Sequence, residues 1–296
     1  MSLRDFAIMA GVCLLWALNT IFSKIAVSTY DIPPLFLGAA RFGIVALAVC
    51  PWLFPAPRPM WRMIIVGLTM GGGTFVFAFI GLKTASPSGV AIVSQLGVPA
   101  ATILSVLILG ERIHWRRGLG VVLSLGGVLL VMWSPKDLMV STGLVLAATG
   151  AIIGSLGAVT MKQMTGVRPL TFQAWVGLIS FVPLMVFSLF LEPQAPALAL
   201  KAGWPFLGII LFSALVVSVL GHTTYYVLIG RYEANLIAPL TLMMPLATIG
   251  LGVLITHDPF TARMALGTGI ALAGVLIIAL RRDHVAPLVE LWRPRG

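Results

Sequence analysis

The sequence predicts an all-α, polytopic membrane protein with ten transmembrane helices, arranged as two inverted five-helix repeats. Of its 296 residues, 59% are hydrophobic and only 9% are charged, about a third of the charged share of ordinary soluble domains. The mean hydropathy is +1.05. The charges lie in short segments between long apolar runs, which avoids the cost of placing them in hydrocarbon. Lipid is therefore the expected solvent for most of the chain.

Ten apolar runs predict the spans, because about 20 helical residues cross the roughly 30 Å of hydrocarbon in a bilayer. A transmembrane β-barrel would instead show alternating segments of about ten residues, whereas these runs are continuous. In chain order, the predicted spans are 5–27, 33–54, 62–82, 86–109, 117–133, 141–162, 170–191, 204–229, 234–256 and 264–280.

The first apolar run is predicted to be a retained span and not a cleaved signal peptide. It is longer than a typical signal-peptide core, carries Asn19 and Lys24, and has no clean small-x-small cleavage site. The connections between later runs are too short to hold a soluble domain. Prolines mark many of them, as at Pro33-Pro34, Ser86-Pro87 and Arg168-Pro169.

The distribution of basic residues predicts the orientation of the chain. With both termini on the inner side, thirteen Lys and Arg residues fall inside and five outside, while Arg41 lies within a span, which accounts for all 19. Because cytoplasmic loops of membrane proteins carry the excess of Lys and Arg, we expect both termini in the cytoplasm. The expected location is the cell inner (plasma) membrane, with several passes through it.

The two halves of the sequence resemble each other. Gln95 to Pro99 align with Thr241 to Pro245, and Lys24 aligns with Lys162. The predicted units are residues 1–138, residues 139–282 and a basic cytoplasmic tail, 283–296. Five spans in each half make the second half inverted relative to the first. Glycine- and leucine-rich helices align easily by chance, but Pro99 and Pro245, predicted as hinges, match at similar depth.

Several short stretches resemble the drug/metabolite transporter superfamily, in its ten-span group of EamA-type carriers. The resemblance covers nearly the whole chain, and its residues are Trp16-Ala-Leu-Asn19, Ala40-Arg41-Phe42, the Gln95-to-Pro99 stretch and Leu109-Gly110-Glu111-Arg112. The second half departs from the family pattern at His257, where a glutamate is expected. The resemblance implies export of amino acids or related small metabolites, and overall similarity favours the aromatic amino acid exporters.

Polar side chains inside spans are candidates for substrate binding, because each needs a partner, a cavity or water. Asn19, Gln95 and Thr241 carry donors or acceptors suited to the ammonium and carboxylate of a zwitterion. His222 is the histidine well inside a span, and so the candidate there for a proton-coupled switch. Hydrogen bonding between helices is the structural alternative for all four residues.

Aromatic residues are candidates for an apolar wall around the side chain of a solute, because small-molecule pockets are mostly hydrophobic. The candidates are Trp16, Phe79, Trp175 and Tyr226. Contact with lipid is the alternative explanation for them. Arg41, about eight residues into the second span, is expected to snorkel, pair or face water, and we favour a structural role at the interface of the outer third of the membrane.

Several function classes lack the residues that they require. The basic residues are scattered and form no nucleic-acid-binding face. Cys13 and Cys50 have no CxxC or Cys/His spacing, so no disulfide, metal or cofactor is expected. No GxxxxGK[ST] motif for ATP occurs. No Asp or Glu lies in mid-span, so the sequence leaves proton-coupled transport and facilitated diffusion equally open.

The sequence therefore predicts a secondary transporter and not an enzyme. Its partners are the lipid bilayer and a small solute, which enters a cavity lined mainly by spans 1, 3, 4, 6, 8 and 9. The alternatives are a carrier of drug cations or nucleotide sugars, an intramembrane enzyme, and a scaffold that transports nothing. Gly-xxx-Gly spacings suit packing within one chain as well as between chains, which leaves the oligomeric state open.

Overall fold

A computed structural model describes residues 1–110, 115–134, 139–164, 166–232, 237 and 240–279. The predicted tail, 283–296, and the predicted boundary at residue 138 lie outside this part of the chain. The apolar helices in it are α1 (Leu3–Ser28), α2 (Pro34–Ala48), α3 (Met60–Thr84), α4 (Pro87–Leu109), α5 (Trp115–Met132), α6 (Thr142–Met161), α7 (Pro169–Leu191), α8 (Trp204–Ile229), α9 (Met243–Ile255) and α10 (Ala262–Ala279).

Minor elements connect these helices. A 3₁₀ turn, Cys50–Leu53, follows α2, and a short helix, Ala195–Ala202, precedes α8. Two strands of two residues each, Trp133–Ser134 and Met139–Val140, pair in antiparallel fashion between α5 and α6. These connections are as short as the sequence predicts.

The prediction of an all-α, polytopic membrane protein is confirmed. Helices α1, α3, α4, α6, α7, α8 and α10 are long and apolar enough to cross a membrane. The apolar parts of α2, α5 and α9 are shorter, with 10–17 residues each. That these three also cross the bilayer, which would give ten spans, stays a prediction.

Local chemistry sets the helix boundaries. Ser86 Oγ accepts a hydrogen bond from Gly89 N at 3.1 Å and caps α4, while Gly110, with φ +66°, terminates it. Helix α2 ends at Ala48, six residues before the predicted end of its span at 54. The reason is Pro51, which lacks an N–H and lies in the 3₁₀ turn that replaces the last helical turn.

Helices α3 and α8 each contain a wide π-helical stretch, at Gly67–Gly73 and Phe212–His222. Hydroxyl groups bond to carbonyls five residues earlier in both stretches. Thr74 Oγ1 donates to Thr69 O at 2.9 Å, and Ser218 Oγ donates to Ser213 O at 3.0 Å. Such stretches are rare and often lie at functional sites. Here they occupy the third apolar helix of each half of the chain.

A second matched feature is a break just before each predicted hinge proline. Val98 N donates to Gln95 O at 3.1 Å ahead of Pro99, and Met244 N donates to Thr241 O at 3.0 Å ahead of Pro245. A proline cannot donate to the carbonyl four residues before it, so both carbonyls accept a tighter bond from the residue preceding the proline. The hinge role of Pro99 and Pro245 stays a prediction.

The packing of the helices is consistent with a symmetry between the two halves that exchanges each helix of the first half with the helix five places later, so that α1 corresponds to α6 and α2 to α7. Helix α1 contacts α9 as α6 contacts α4, and α1 contacts α8 as α6 contacts α3. The contacts of α2 with α7, of α5 with α10 and of α4 with α9 each map onto themselves. This pattern is the one that two five-helix repeats related by a twofold axis require.

Glycines hold α5 and α10 at backbone distance. A Cβ on Gly120 would lie 2.8 Å from Gly274 O, and one on Gly267 would lie 2.8 Å from Gly127 O. The reverse contacts, from Gly274 to Gly120 O and from Gly127 to Gly267 O, would both be 2.6 Å. Small residues allow such close approach of helices in lipid. We call these four glycines the glycine seam.

We expect Gly127→Ala to destabilise the protein, because its methyl group would collide with the backbone of α10. Overpacking of this kind costs about 1–3 kcal/mol, or roughly 5 °C in Tm. The matched control is Gly126→Ala, since a Cβ on Gly126 meets nothing within 4 Å. Thermal unfolding in detergent provides the comparison, and equal Tm values for the two variants would contradict a tight seam.

Candidate functional site

A cavity of about 620 Å³ lies among α3, α4, α6, α8 and the last turn of α10. Its volume is within the range of about 300–1,000 Å³ that is usual for small-molecule sites. Thr74, Phe75 and Ala78 of α3 line it at mid-helix, whereas Lys162 and Ala279 line it at helix ends. The cavity therefore extends from the middle of the bundle to one end of it.

Helix α4 contributes one face of small and hydroxyl side chains to the wall. The residues on this face are Ser94, Gly97, Val98, Ala101, Thr102 and Ser105. Their spacing of three or four residues places them along one side of the helix. Since most of them are small, space remains between the helices for a ligand.

Helix α6 faces α4 with the same kind of surface. Its lining residues are Ala147, Ala151, Gly154, Ser155, Ala158 and Lys162. Gly154 lies directly against Thr74 Oγ1, so that any larger side chain there would collide with α3. The ammonium group of Lys162 donates to Ser105 Oγ at 2.9 Å and brings a positive charge to the end of the cavity.

The hydroxyl groups of the wall use their protons within the protein. Thr102 Oγ1 donates to Val98 O at 2.9 Å, Ser94 Oγ to Val90 O at 2.7 Å, and Ser155 Oγ to Ile152 O at 2.6 Å. A hydroxyl has one proton and two acceptor lone pairs. These side chains therefore present acceptors to a ligand, which suits the N–H groups of an ammonium ion.

His222 is the predicted site residue that lines this cavity. Its Nδ1 lies 2.9 Å from Val217 O, and because a carbonyl only accepts, Nδ1 carries the proton of this bond. In the neutral ring, Nε2 is then a free acceptor. The ring also packs against Trp16, with centroids 5.3 Å apart.

Three of the predicted site residues meet in an aromatic cluster between α1 and α8. Trp16 contacts Tyr225 as well as His222, with centroids 5.1 Å apart, and Tyr225 contacts Tyr226 at 5.8 Å. Asn19 lies one turn beyond Trp16 on α1. Its Oδ1 and Trp16 Nε1 are buried without a hydrogen-bond partner, as is Thr223 Oγ1. Buried polar atoms are rarely left unpaired in native proteins.

The remaining predicted residues lie elsewhere in the bundle. Phe79 is buried one turn from Phe75, with ring centroids 5.9 Å apart. Gln95 and Thr241 lie at the helix breaks before the two prolines. Trp175 Nε1 donates to Leu53 O at 3.0 Å, where α7 packs against the 3₁₀ turn that follows α2. Whether these side chains bind substrate stays a prediction.

Most residues of the cavity wall were not predicted from the sequence. The helices α3, α4, α6 and α8 were expected there, but α10 completes the wall, and no described residue of α1 or α9 lines it. The sequence signal for this wall was the helical spacing of small residues in the spans of α4 and α6, whose other residues are mostly bulky. Within the described parts of the chain, no group of three or more His, Cys, Asp or Glu side chains could hold a metal ion.

A polar cluster closes the end of the bundle opposite Lys162. The carboxylate of Asp258, only 8% exposed, accepts bonds from Ser88 N at 2.9 Å, Ser88 Oγ at 2.5 Å and Thr256 Oγ1 at 2.7 Å. Lys24 Nζ donates to Leu82 O at 2.7 Å and to Ala85 O at 3.1 Å beside it. We call the contacts of Asp258 with Ser88 and Thr256 the latch, because they join the start of α4 to the loop after α9.

Comparisons with known proteins agree with this architecture. The profile of a family described as the EamA-like transporter family matches residues 6–133 and again residues 141–280. A "Probable amino-acid metabolite efflux pump" of Escherichia coli K12 is 27% identical, with 94% of this chain and 95% of that protein covered. An uncharacterized transporter of Bacillus subtilis is also 27% identical, with 93% and 89% covered.

The fold also occurs among solved structures. The crystal structure of one other protein superposes on this chain with a TM-score of 0.64 and 20% sequence identity. The match covers 98% of this chain and all of the other one. The likeness establishes a shared fold.

We expect the cavity to admit water from the end that carries Lys162. In a background with Cys13→Ala and Cys50→Ala, a cysteine at the lining residue Thr102 should react with an impermeant maleimide on the cytoplasmic face. A cysteine at Val93, which is fully buried in the same helix, should not react. Equal labelling at the two positions, or labelling of Thr102→Cys only from the opposite face, would contradict this assignment.

Proposed function

Because the chain belongs to the EamA-like transporter family and is a membrane transporter, we propose that it exports amino acids or related small metabolites. The observation that carries the proposal is the cavity between α3, α4, α6 and α8, with acceptor hydroxyls on its wall and a lysine at its end. The efflux-pump relative from Escherichia coli supports this class of solute, as does a protein of the same name from Salmonella typhimurium that is 26% identical.

The wall chemistry suits a zwitterion with an apolar side chain. An ammonium group offers only donors, and Ser94, Thr102 and Ser155 face it with acceptors. A carboxylate offers only acceptors and is attracted to cations such as Lys162. Alanine, glycine and Phe75 surround the remaining space, where an aliphatic or aromatic side chain displaces water.

We propose alternating access as the mechanism. In this structure the cavity reaches the Lys162 end, which is the cytoplasmic side in the predicted topology, while the latch closes the other end. Rotation of one half against the other would open the latch and close the Lys162 end. The breaks before Pro99 and Pro245 give α4 and α9 matched positions at which to bend.

Filling the cavity should abolish transport. We expect Ala151→Phe to lower the counterflow of labelled amino acids in proteoliposomes at least tenfold, because its ring would occupy the space between α4 and α6. The matched control is Ile152→Phe at the neighbouring position, which is 52% exposed on the outer surface of α6. If Ala151→Phe folds and transports as well as Ile152→Phe, the cavity is not the transport route.

Weakening the latch should favour the state that is open on the outer side. Asp258→Asn removes the charge that accepts three hydrogen bonds, each worth about 1.5–3 kcal/mol to a charged group. In the same cysteine-free background, maleimide labelling of Val90→Cys from the outer face should become about tenfold faster.

The control for this experiment is Asp31→Asn, which changes an exposed carboxylate at the same end of the bundle. It should leave the labelling rate of Val90→Cys unchanged. An Asp258→Asn protein that is folded but labels no faster than this control would show that the latch does not govern access.

A further inference from the structure

Arg41 is a buried cation that has no counter-ion among the described residues. It lies in the middle of α2 and is 1% exposed, so it neither snorkels to the membrane surface nor faces water. Its Nε donates to Ser218 Oγ at 3.0 Å, whereas its Nη1 is buried without a partner. An unpaired charge in the hydrophobic interior costs several kcal/mol of stability. A purely structural residue at this position would therefore destabilise the protein.

No carboxylate of the described residues contacts Arg41. The acidic residues that the structure describes, Asp5, Asp31, Glu192 and Asp258, lie at or beyond helix ends. The sequence has no Asp or Glu between positions 32 and 110. Ser218, its hydrogen-bond partner, is neutral and donates its own proton to Ser213 O. Among the residues that the structure describes, only dipoles and aromatic rings therefore compensate the charge of Arg41 in this state.

One aromatic ring separates Arg41 from the cavity. The guanidinium carbon lies 4.1 Å from the centre of the Phe75 ring, and Phe75 is a lining residue. His222 of the same cavity follows Ser218 by one turn on α8. Phe75 itself follows the π-helical stretch Gly67–Gly73, which contains three consecutive glycines. Arg41 thus stands between the two π-helical stretches, directly behind the wall.

We propose that Arg41 binds the carboxylate of the transported solute and that the Phe75 ring moves aside to admit it. This inference rests on the proposed function. A guanidinium group presents five N–H donors in a plane, of which Ser218 uses one, so the others are available to a carboxylate. The hydroxyl acceptors of α4 and α6 remain for the ammonium group.

A carboxylate bound to Arg41 defines the solute class more narrowly than the size and polarity of the cavity do. The anion of the solute supplies the counter-ion that the protein lacks, so binding relieves the cost of the buried charge. Amines without a carboxylate bring a second positive charge toward Arg41 and should be rejected. The preferred solutes are therefore α-amino acids and related carboxylates, and not cationic drugs.

The test is counterflow in proteoliposomes with pairs of labelled solutes that differ only in the carboxylate, such as phenylalanine with phenethylamine and leucine with isoamylamine. We expect the wild type to prefer each acid. Arg41→Met, which keeps length but removes charge, should lower the acid-to-amine ratio at least tenfold. Arg62→Met is the matched control, because Arg62 bonds to Gln163 O at a helix end, and its ratio should equal that of the wild type.

The outcomes of this test distinguish a failure of the role proposed for Arg41 from a failure of the proposed function. Suppose that the wild type transports amino acids. If Arg41→Met then reduces the acid and amine fluxes equally, or reduces neither flux, Arg41 is a structural residue and the inference is wrong. If the wild type transports no amino acid of the panel, the proposed function is wrong and the inference falls with it.

A second measurement covers the case in which Arg41→Met does not fold. The thermal stability of the wild type is measured in detergent with an amino acid and with its methyl ester, which lacks the negative charge. The acid should raise Tm more than the ester does, and Arg41→Lys should reduce this difference. Equal stabilisation of the wild type by acid and ester would overturn the proposal.

Discussion

In this protein the governing constraint is that hydrocarbon offers no partner to a polar group, so each group that leaves water needs one inside the chain. Most of the structure follows from it. Backbone groups are satisfied within helices, hydroxyls bond to carbonyls of their own helices, and Lys24 and Asp258 each make several bonds to neighbouring segments. Among the described residues, the exceptions are eight side chains that retain buried atoms without partners, four of them on α1, α2 and α8: Trp16, Asn19, Arg41 and Thr223. Of these four, Trp16 contacts His222 and Arg41 contacts Phe75, and both partners line the cavity.

The same constraint explains how much the sequence could predict. Continuous apolar runs locate the helices, because lipid tolerates few other sequences, and the ten apolar helices within the described part of the chain lie where runs were expected. Proline chemistry located the breaks in α4 and α9, since a missing N–H is a local property. The end of α2 was misplaced because apolar residues continue past Ala48 although the helix does not.

The site was harder to predict, because a cavity is defined by what several helices leave empty. The sequence shows that Ala151 and Gly154 are small, but only packing shows that α4 faces them across a space. Because of their polar side chains, Gln95 and Thr241 were predicted as site residues, but they lie at helix breaks. Thr74 and Thr102, whose hydroxyl groups line the wall, were not predicted. Arg41 was expected to reach an interface, whereas tertiary contacts with Ser218 and Phe75 bury it.

The glycine seam has a further consequence for how a carrier of this kind changes state. When two inverted repeats swap conformations, the α1–α9 contact takes the form of the α4–α6 contact and the reverse. The α5–α10, α2–α7 and α4–α9 contacts, in contrast, are their own images under this swap. Glycines packed backbone to backbone leave no side chain that needs to rearrange. Under the proposed alternating access, the α5–α10 contact therefore stays in place, and the displacement is divided among the helices that surround the solute.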